Sequence, residues 1–339
     1  MQRLGIMKKK TCNKFIQFVL LLAIFLIGCG REKENTIDDN QGTVKNEIIV
    51  IHDENESYNN NDNEIDNNAN EEINESQDNN KKKADDYITE SGPIVFDTSW
   101  EYAEFSEINS GDAMLYKAGH SRKNIIIGVN AGHGTKGGTS VKTYSHPDKT
   151  PKVTGGTNPK GAVKSTAVSG GMTFLDGTRE AAVTLREAEI LRDKLLDRGY
   201  DVLLLRDEDD EQLDNVARTV ICNNLADCHI SLHWDGDGLD YDKGCFYVST
   251  PDALKSMDPV SSTWESSEKL GEALIEGLRS QGCKINGKGS MDIDLTQTSY
   301  STVPSVDIEL GNAASAHDDA TLGILADGLV SGIDSFFNM

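Results

Sequence analysis

From Ile125 onward the chain alternates short apolar runs with longer stretches of helical spacing, which leaves it few ways to fold. The run Ile125-Ile126-Ile127-Gly128-Val129-Asn130 reads as a buried strand. Residues 180–198 carry Ala182, Leu185, Ile190, Leu191 and Leu195 as a helical stripe, closed by Gly199 as a cap. Residues 201–205, 228–232, 244–249 and 303–310 read as further strands. Residues 213–225, 266–278 and 320–337 read as helices. Two extended pieces, "PIVFDTSW" and "AMLYKAG", lead into the first strand. This order predicts an α/β fold: a single three-layer domain over residues 92–339, with a mostly parallel central sheet flanked by helices.

The 339 residues carry a formal net charge of −23, which excludes the basic face a nucleic-acid partner needs. Lys8-Lys9-Lys10 open a basic region, and residues 15–27 form an apolar core of about a dozen residues, short against the roughly 18 of a membrane span. It ends in Leu26-Ile27-Gly28-Cys29, which resembles a bacterial lipobox. Residues 1–29 are therefore expected to be a lipoprotein signal peptide, with Cys29 lipidated as the mature N-terminus and an uncleaved anchor as the alternative. Residues 30–91 are acidic and Asn-rich, with too little apolar surface to offset the entropy of ordering, and are expected to be a disordered tether. Past Cys29 the cysteines are Cys222, Cys228, Cys245 and Cys283; no CxxC spacing supports a metal knuckle, and small core residues are expected. An exported chain leaves a disulfide between two of them open.

In a parallel sheet, ligands gather where the strands end. The first strand runs into Gly132-His133-Gly134. In Cys228-His229-Ile230-Ser231-Leu232-His233, alternation places His229, Ser231 and His233 on one face. Val306-Asp307-Ile308-Glu309-Leu310 sets an acid inside an apolar strand, a costly arrangement unless the acid is paired, metal-bound or functional. Glu180 opens the first helix. Two histidines and one glutamate converging at strand ends form the donor set of an open zinc site, with a further carboxylate as general base.

These segments resemble the zinc-dependent N-acetylmuramoyl-L-alanine amidases of the amidase type 3 family, over about residues 123–337. "VNAGHG" is similar to the family's strand-to-Gly-His motif, and "GTREAAVTLREAEILRDKLLDRGYDVLLLRDED" to its Glu, helix and "V-x-L-T-R-x-x-D" run. "LDNVARTVICNNLADCHISLHWD" is similar to "L-x-x-R-x-x-x-A-N-x-x-x-A-D-x-x-I-S-I-H-x-N", and "VPSVDIELGN" to "P-x-V-L-V-E-x-G-F". The resemblance implies that His133, Glu180 and His233 hold Zn²⁺ and that Glu309 is the catalytic acid/base. Arg206, Arg218 and Asn223 match recurring positions expected to support the site. His229 lies off the ligand position and is expected in the core; His52, His120, His146 and His317 have no motif around them. Asn130-Ala131 stands where the family has Asp-Pro, and Trp234-Asp235 replaces a small residue and Asn. The insertion over about residues 134–178 is longer than the family's.

The implied activity is hydrolysis of the amide between N-acetylmuramic acid and the L-alanine of the stem peptide, by water that zinc activates. The expected substrate and partner is peptidoglycan, with the membrane reached through the lipid anchor and contacts to other cell-wall proteins left open. The chain is expected to be exported and anchored to the outer face of the cell membrane, facing the wall. A zinc peptidase acting on stem peptides is the first rival, disfavoured because His133-Gly134-Thr135-Lys136 is not H-x-x-E. A non-catalytic wall-binding lipoprotein is the second, disfavoured because no site residue is lost. The insertion is expected to wall or lid the substrate groove, with Lys136, Lys142, Lys149, Lys152, Lys160 and Lys164 meeting substrate carboxylates; a floppy spacer is the alternative. Replacing Cys29 with serine is expected to block lipidation and leave unprocessed precursor, which metabolic lipid labelling will read; normal labelling rules Cys29 out as the anchor.

Overall fold

The structure, a computed structural model, describes residues 90–339. Cys29, the signal segment and the tether as far as residue 89 lie outside the described residues.

Ten strands and five α-helices are described. The strands are β1 (Gly92–Val95), β2 (Asp112–Tyr116), β3 (Ile126–Ala131), β4 (Lys142–Tyr144), β5 (Lys164–Thr166), β6 (Asp201–Leu204), β7 (Cys228–Asp235), β8 (Cys245–Ser249), β9 (Ile285–Asp292) and β10 (Ser305–Asn312). The helices are α1 (Glu180–Asp197), α2 (Asn215–Leu225), α3 (Val260–Ser280), α4 (Thr296–Tyr300) and α5 (Asp319–Phe336). Among the described residues one sheet of eight strands runs β1-β2-β6-β3-β7-β10-β8-β9. Its middle four strands, β6, β3, β7 and β10, are parallel; β2 and β8 join on either side as antiparallel neighbours. The α/β fold expected from the alternation is the one found.

Period-two alternation divides the sheet into two cores. On one face, Ile127 and Val129 of β3, Ile230 and Leu232 of β7, and Val306 and Ile308 of β10 pack with Leu191 and Leu195 of α1, Leu274 of α3 and Leu329 of α5. On the other, Leu203 and Leu205 pack with Val216, Val220 and Ile221 of α2 and with Tyr300 of α4. Residues that face away from the first core, Asn130, Ser231, His233, Asp307 and Glu309, thus share the α2 face of the sheet.

The helices begin where their side chains satisfy the first free N–H groups. Asp214 caps α2 by accepting from Ala217 N at 2.8 Å, and it also accepts from Glu107 and Ile108 N. Asp318 caps α5 through Ala320 and Thr321 N. The expected helices and strands sit within a few residues of those observed, except that α3 begins at Val260. The sequence pattern does not announce β9 or α4. β9, "INGKGSMD", has a mostly exposed face and two glycines, so no apolar alternation marks it. α4 spans one turn.

The four cysteines past the signal segment are free thiols, three of them buried, as expected of core residues. α3 and α5 meet through glycines: a Cβ on Gly277 would lie 2.2 Å from Gly328 O and 2.5 Å from Gly332 N. Gly277→Val is expected to push these helices apart at a cost of about 2 kcal/mol, lowering Tm by roughly 4–8 °C in thermal unfolding. Gly323→Ala, on an open face of α5, is the control and is expected not to lower Tm.

Candidate metal centre and cleft

The end of β3 is held by two buried arginines. Arg206 donates to Ala131 O at 3.1 Å, Gly132 O at 3.1 Å and Ala181 O at 2.7 Å. Arg218 donates to Ala131 O at 3.1 Å, His133 O at 2.8 Å and Asn130 Oδ1 at 2.8 Å. Three successive carbonyls are thereby turned toward fixed cations. The chain leaves the strand with His133 at φ 66° and Gly134 at φ 71°. The left-handed conformation is uncommon for histidine and persists only where surroundings impose it. Gly132 serves closeness instead: a Cβ there would fall 2.3 Å from the His233 ring. Burial lowers the pKa of Arg206 to about 10 and that of Arg218 to about 9, leaving both charged at neutral pH.

This turn brings His133 to Glu180 and His233. His133 Nε2 lies 2.8 Å from Glu180 Oε1 and 3.0 Å from His233 Nδ1, and His233 Nδ1 lies 3.1 Å from Glu180 Oε1. The two rings are perpendicular, at 89°. One donor atom from each residue falls within 4.8 Å of the others. Ser169 O, an acceptor only, lies 3.0 Å from His133 Nδ1, with Ser169 Oγ at 2.9 Å; a proton on Nδ1 satisfies the carbonyl and leaves the Nε2 lone pair for the cluster. Glu180 Oε2 accepts from Met172 N at 2.7 Å and Oε1 from Trp234 N at 3.0 Å. Burial opposes the Glu180 charge, but His133 and His233 hold its carboxyl well below the usual range. Burial likewise opposes the charge on His233, yet Asp307, Glu180 and Glu309 raise its pKa to about 10. Two imidazole nitrogens, one carboxylate and an open side fit a zinc ion.

Glu309 pairs with His233 in the β7–β10 register. Its Oε2 is buried without a hydrogen-bond partner. Burial, followed by the charge of Asp307, raises its proton affinity well above that of an ordinary glutamate. Asp307, two residues earlier on the same face, is 8% exposed. No sequence motif had marked it.

Other expected residues fall elsewhere. Asn130 does not touch His133; it links Arg218 to Ser231 Oγ, which in turn donates to Gln297 Oε1. Asn223 joins Tyr300 O and Thr302 N, a structural role. Trp234 turns into the core against Phe174, and Asp235 pairs with Lys243. His229 is fully buried with neither ring nitrogen partnered; burial lowers its pKa to about 3 and keeps it neutral. His317 meets Asp176 at 3.2 Å, while His120 is exposed. His52 lies outside the described residues.

The insertion has structure of its own. β4 and β5 form an antiparallel hairpin, and the segment's ends supply Ser169 and Met172 to the centre. A buried cluster pins it to the chain after β9. Asp294 meets His146 Nε2 at 3.0 Å, accepts from Val153 N at 2.7 Å and pairs with Lys152 Nζ at 3.2 Å. All three side chains are at most 5% exposed. Of the insertion's lysines Lys152 alone is in the cleft lining, and there its ammonium is paired with Asp294. The others are not in that lining: Lys142 donates to Thr166, and Lys149 and Lys164 lie over the Tyr144 ring. The insertion and residues 293–297 wall a cleft of about 550 Å³ with His133, Glu180, His233, Asp307 and Glu309 in its lining.

The family description N-acetylmuramoyl-L-alanine amidase (Amidase_3) matches residues 127–326, and the chain belongs to that family. No curated protein matches it. Among solved structures, it is similar to the N-acetylmuramyl-L-alanine amidase Ami1 from Mycobacterium smegmatis, at 19% identity and TM-score 0.53 over 63% of this chain and 97% of that one. It is also similar to the apo form of Ami1 from Mycobacterium abscessus, at 20% identity and TM-score 0.51 over 63% and 98%. At such identities the likeness is one of fold.

Asp294→Ala strands the Lys152 ammonium in a buried site, a loss of about 3 kcal/mol. The variant is expected to unfold at lower temperature and to be cut by protease within residues 146–162 before the rest of the domain. Protease resistance equal to that of wild type shows that the cluster does not hold the insertion.

Proposed function

We propose that this chain is a zinc-dependent peptidoglycan amidase that hydrolyses the amide joining the lactyl group of N-acetylmuramic acid to L-alanine. Family membership supports peptidoglycan amide hydrolysis. The observation that carries the zinc-dependent reading is the cluster of His133, Glu180 and His233 on an open cleft with Glu309 beside it.

His133 through Nε2, His233 through Nδ1 and Glu180 through Oε1 would hold the ion. When bound, it supplies Lewis-acid polarisation of the scissile carbonyl and makes water acidic enough to attack near neutral pH. Glu309 takes the proton of the attacking water on a carboxylate oxygen and returns it to the departing nitrogen. One carboxylate suffices for both transfers where water and leaving amine come within its hydrogen-bond reach in turn. Ser169 and Met172 keep His133 and Glu180 aimed while this happens, and the insertion lines one side of the cleft. The sequence of residues 1–29 supports export and lipid anchoring at Cys29, which would put the domain beside the wall polymer.

The test is incubation of the protein with purified peptidoglycan, followed by mass spectrometry for new L-alanine amino termini. Wild type is expected to release them, lose activity to a zinc chelator and regain it with Zn²⁺. Full activity of demonstrably metal-free protein overturns the zinc reading, and cuts within the stem peptide favour a peptidase. Glu309→Gln is expected to bind metal and fold normally while the rate falls on the order of 100-fold. A near-normal rate makes Glu309 a structural acid.

A further inference from the structure

We propose that Asp307 is a positioning residue for the metal centre: its carboxylate accepts from His233 Nε2–H and sets that ring's tautomer and angle. The inference rests on the metal reading above and concerns a residue to which that reading gives no role.

Alternation along β10 sends Val306, Ile308 and Leu310 into the core and leaves Asp307 and Glu309 on the cleft face. The register sets Glu309 opposite His233 and Asp307 opposite Ser231, one rung deeper. His233 turns Nδ1 toward His133 and Glu180, at 3.0 and 3.1 Å. Its other nitrogen, Nε2, therefore points away from the cluster, and Asp307 Oδ2 lies 3.6 Å from it. That spacing is beyond hydrogen-bond length, so the contact proposed here requires the ring and the carboxylate to close on one another.

The chemistry of the two groups supports the contact. Asp307 Oδ1 is buried without a partner, so this carboxylate sits in a costly place with little else to offset it. A cation at Nδ1 requires a lone pair there, which moves the ring proton to Nε2. The same cation withdraws electron density from the ring and makes Nε2–H a stronger donor. Asp307 is the acceptor already facing it. His133 has the matching arrangement, with Ser169 O at its Nδ1. Each histidine is thus oriented through the nitrogen that faces away from the cluster, one by a neutral carbonyl and one by a charged carboxylate. Glu309, by contrast, stays free to serve the substrate.

The test reads metal affinity rather than turnover. Full-length protein is titrated with Zn²⁺ against a chromophoric chelator, and with Co²⁺ while its visible bands are recorded. Asp307→Leu is expected to weaken Zn²⁺ binding about 10-fold or more and to shift the Co²⁺ bands. Asp307→Asn nearly preserves the shape and keeps an amide oxygen as an uncharged acceptor. It is expected to fall between wild type and Asp307→Leu, and it serves if the leucine variant does not fold. Asp235→Asn removes a neighbouring charge that pairs with Lys243 instead, and is expected to leave Zn²⁺ affinity and the Co²⁺ bands unchanged. Wild-type affinity and spectra in both Asp307 variants overturn the inference while the metal reading stands. An equal loss in Asp235→Asn also overturns it, because local charge alone would then account for the effect. Wild-type protein that takes up neither ion overturns the metal reading and this inference with it.

Discussion

Two guanidinium groups without carboxylate partners hold the centre of this protein. Arg206 and Arg218 are fully buried, and their donors go chiefly to main-chain carbonyls around the end of β3. A buried cation unmatched by an anion is expensive unless nearly every N–H finds an oxygen. Here the carbonyls of Ala131, Gly132 and His133 provide them, and in doing so they must point inward. That requirement bends the chain, drives His133 to a positive φ and delivers its ring to Glu180 and His233. The same contacts tie β3 to α1, through Ala181 O and Thr184 Oγ1, so that the helix start carrying Glu180 is placed by the clamp that places His133. Glycine at 132 and 134 follows, because a side chain at either would strike His233 or Arg206.

The insertion is part of the centre rather than an appendage. Its far end returns through Ser169 and Met172, which hold one ligand residue each. Its middle is held by Asp294, which collects His146, Lys152 and the Val153 amide into one buried cluster. A segment fixed at both places is a wall. These buried polar contacts fix the side of the cleft that the insertion lines.

Much of this was legible in the sequence, for reasons that differ by element. β3, β7 and β10 show because both faces are constrained, one by the core and one by the site. His133, His233 and Glu309 show because they interrupt or end such strands. Glu180 shows because it opens a strongly patterned helix. What stayed hidden depends on contacts distant in the chain. Asp294 and His146 are separated by more than half of the described chain, and neither lies in a patterned element. The β4–β5 hairpin is three residues per strand, too short for a period to register. Lys152 resembles the exposed lysines around it, and only its partner distinguishes it. Asp307 was hidden by its neighbour: the motif that marks Glu309 carries leucine at the position of Asp307, so attention stops at the glutamate. Asn130 departs from the family's Asp, but only the structure shows where it acts: its contacts are to Arg218 and Ser231.

The electrostatics of the cleft explain why such a site is compatible with a stable fold. Glu180, Asp307 and Glu309 place three carboxyl groups around two imidazoles in a largely buried space. Without a cation, the cost is met by protonation: His233 is driven toward its charged form, and Glu309 and Asp307 toward their neutral ones. A divalent ion at the proposed donor cluster would supply positive charge and would displace the His233 proton to reach Nδ1, so that uptake and proton release would be linked. The acids that are costly to bury there are therefore the ones that would favour a cation. The arginine clamp works independently of this balance, because its cations are satisfied by carbonyls rather than by the site's carboxylates. The main chain at His133 and at the start of α1 is held by contacts that use none of the site's carboxylates, so the scaffold itself sets where His133 and Glu180 stand.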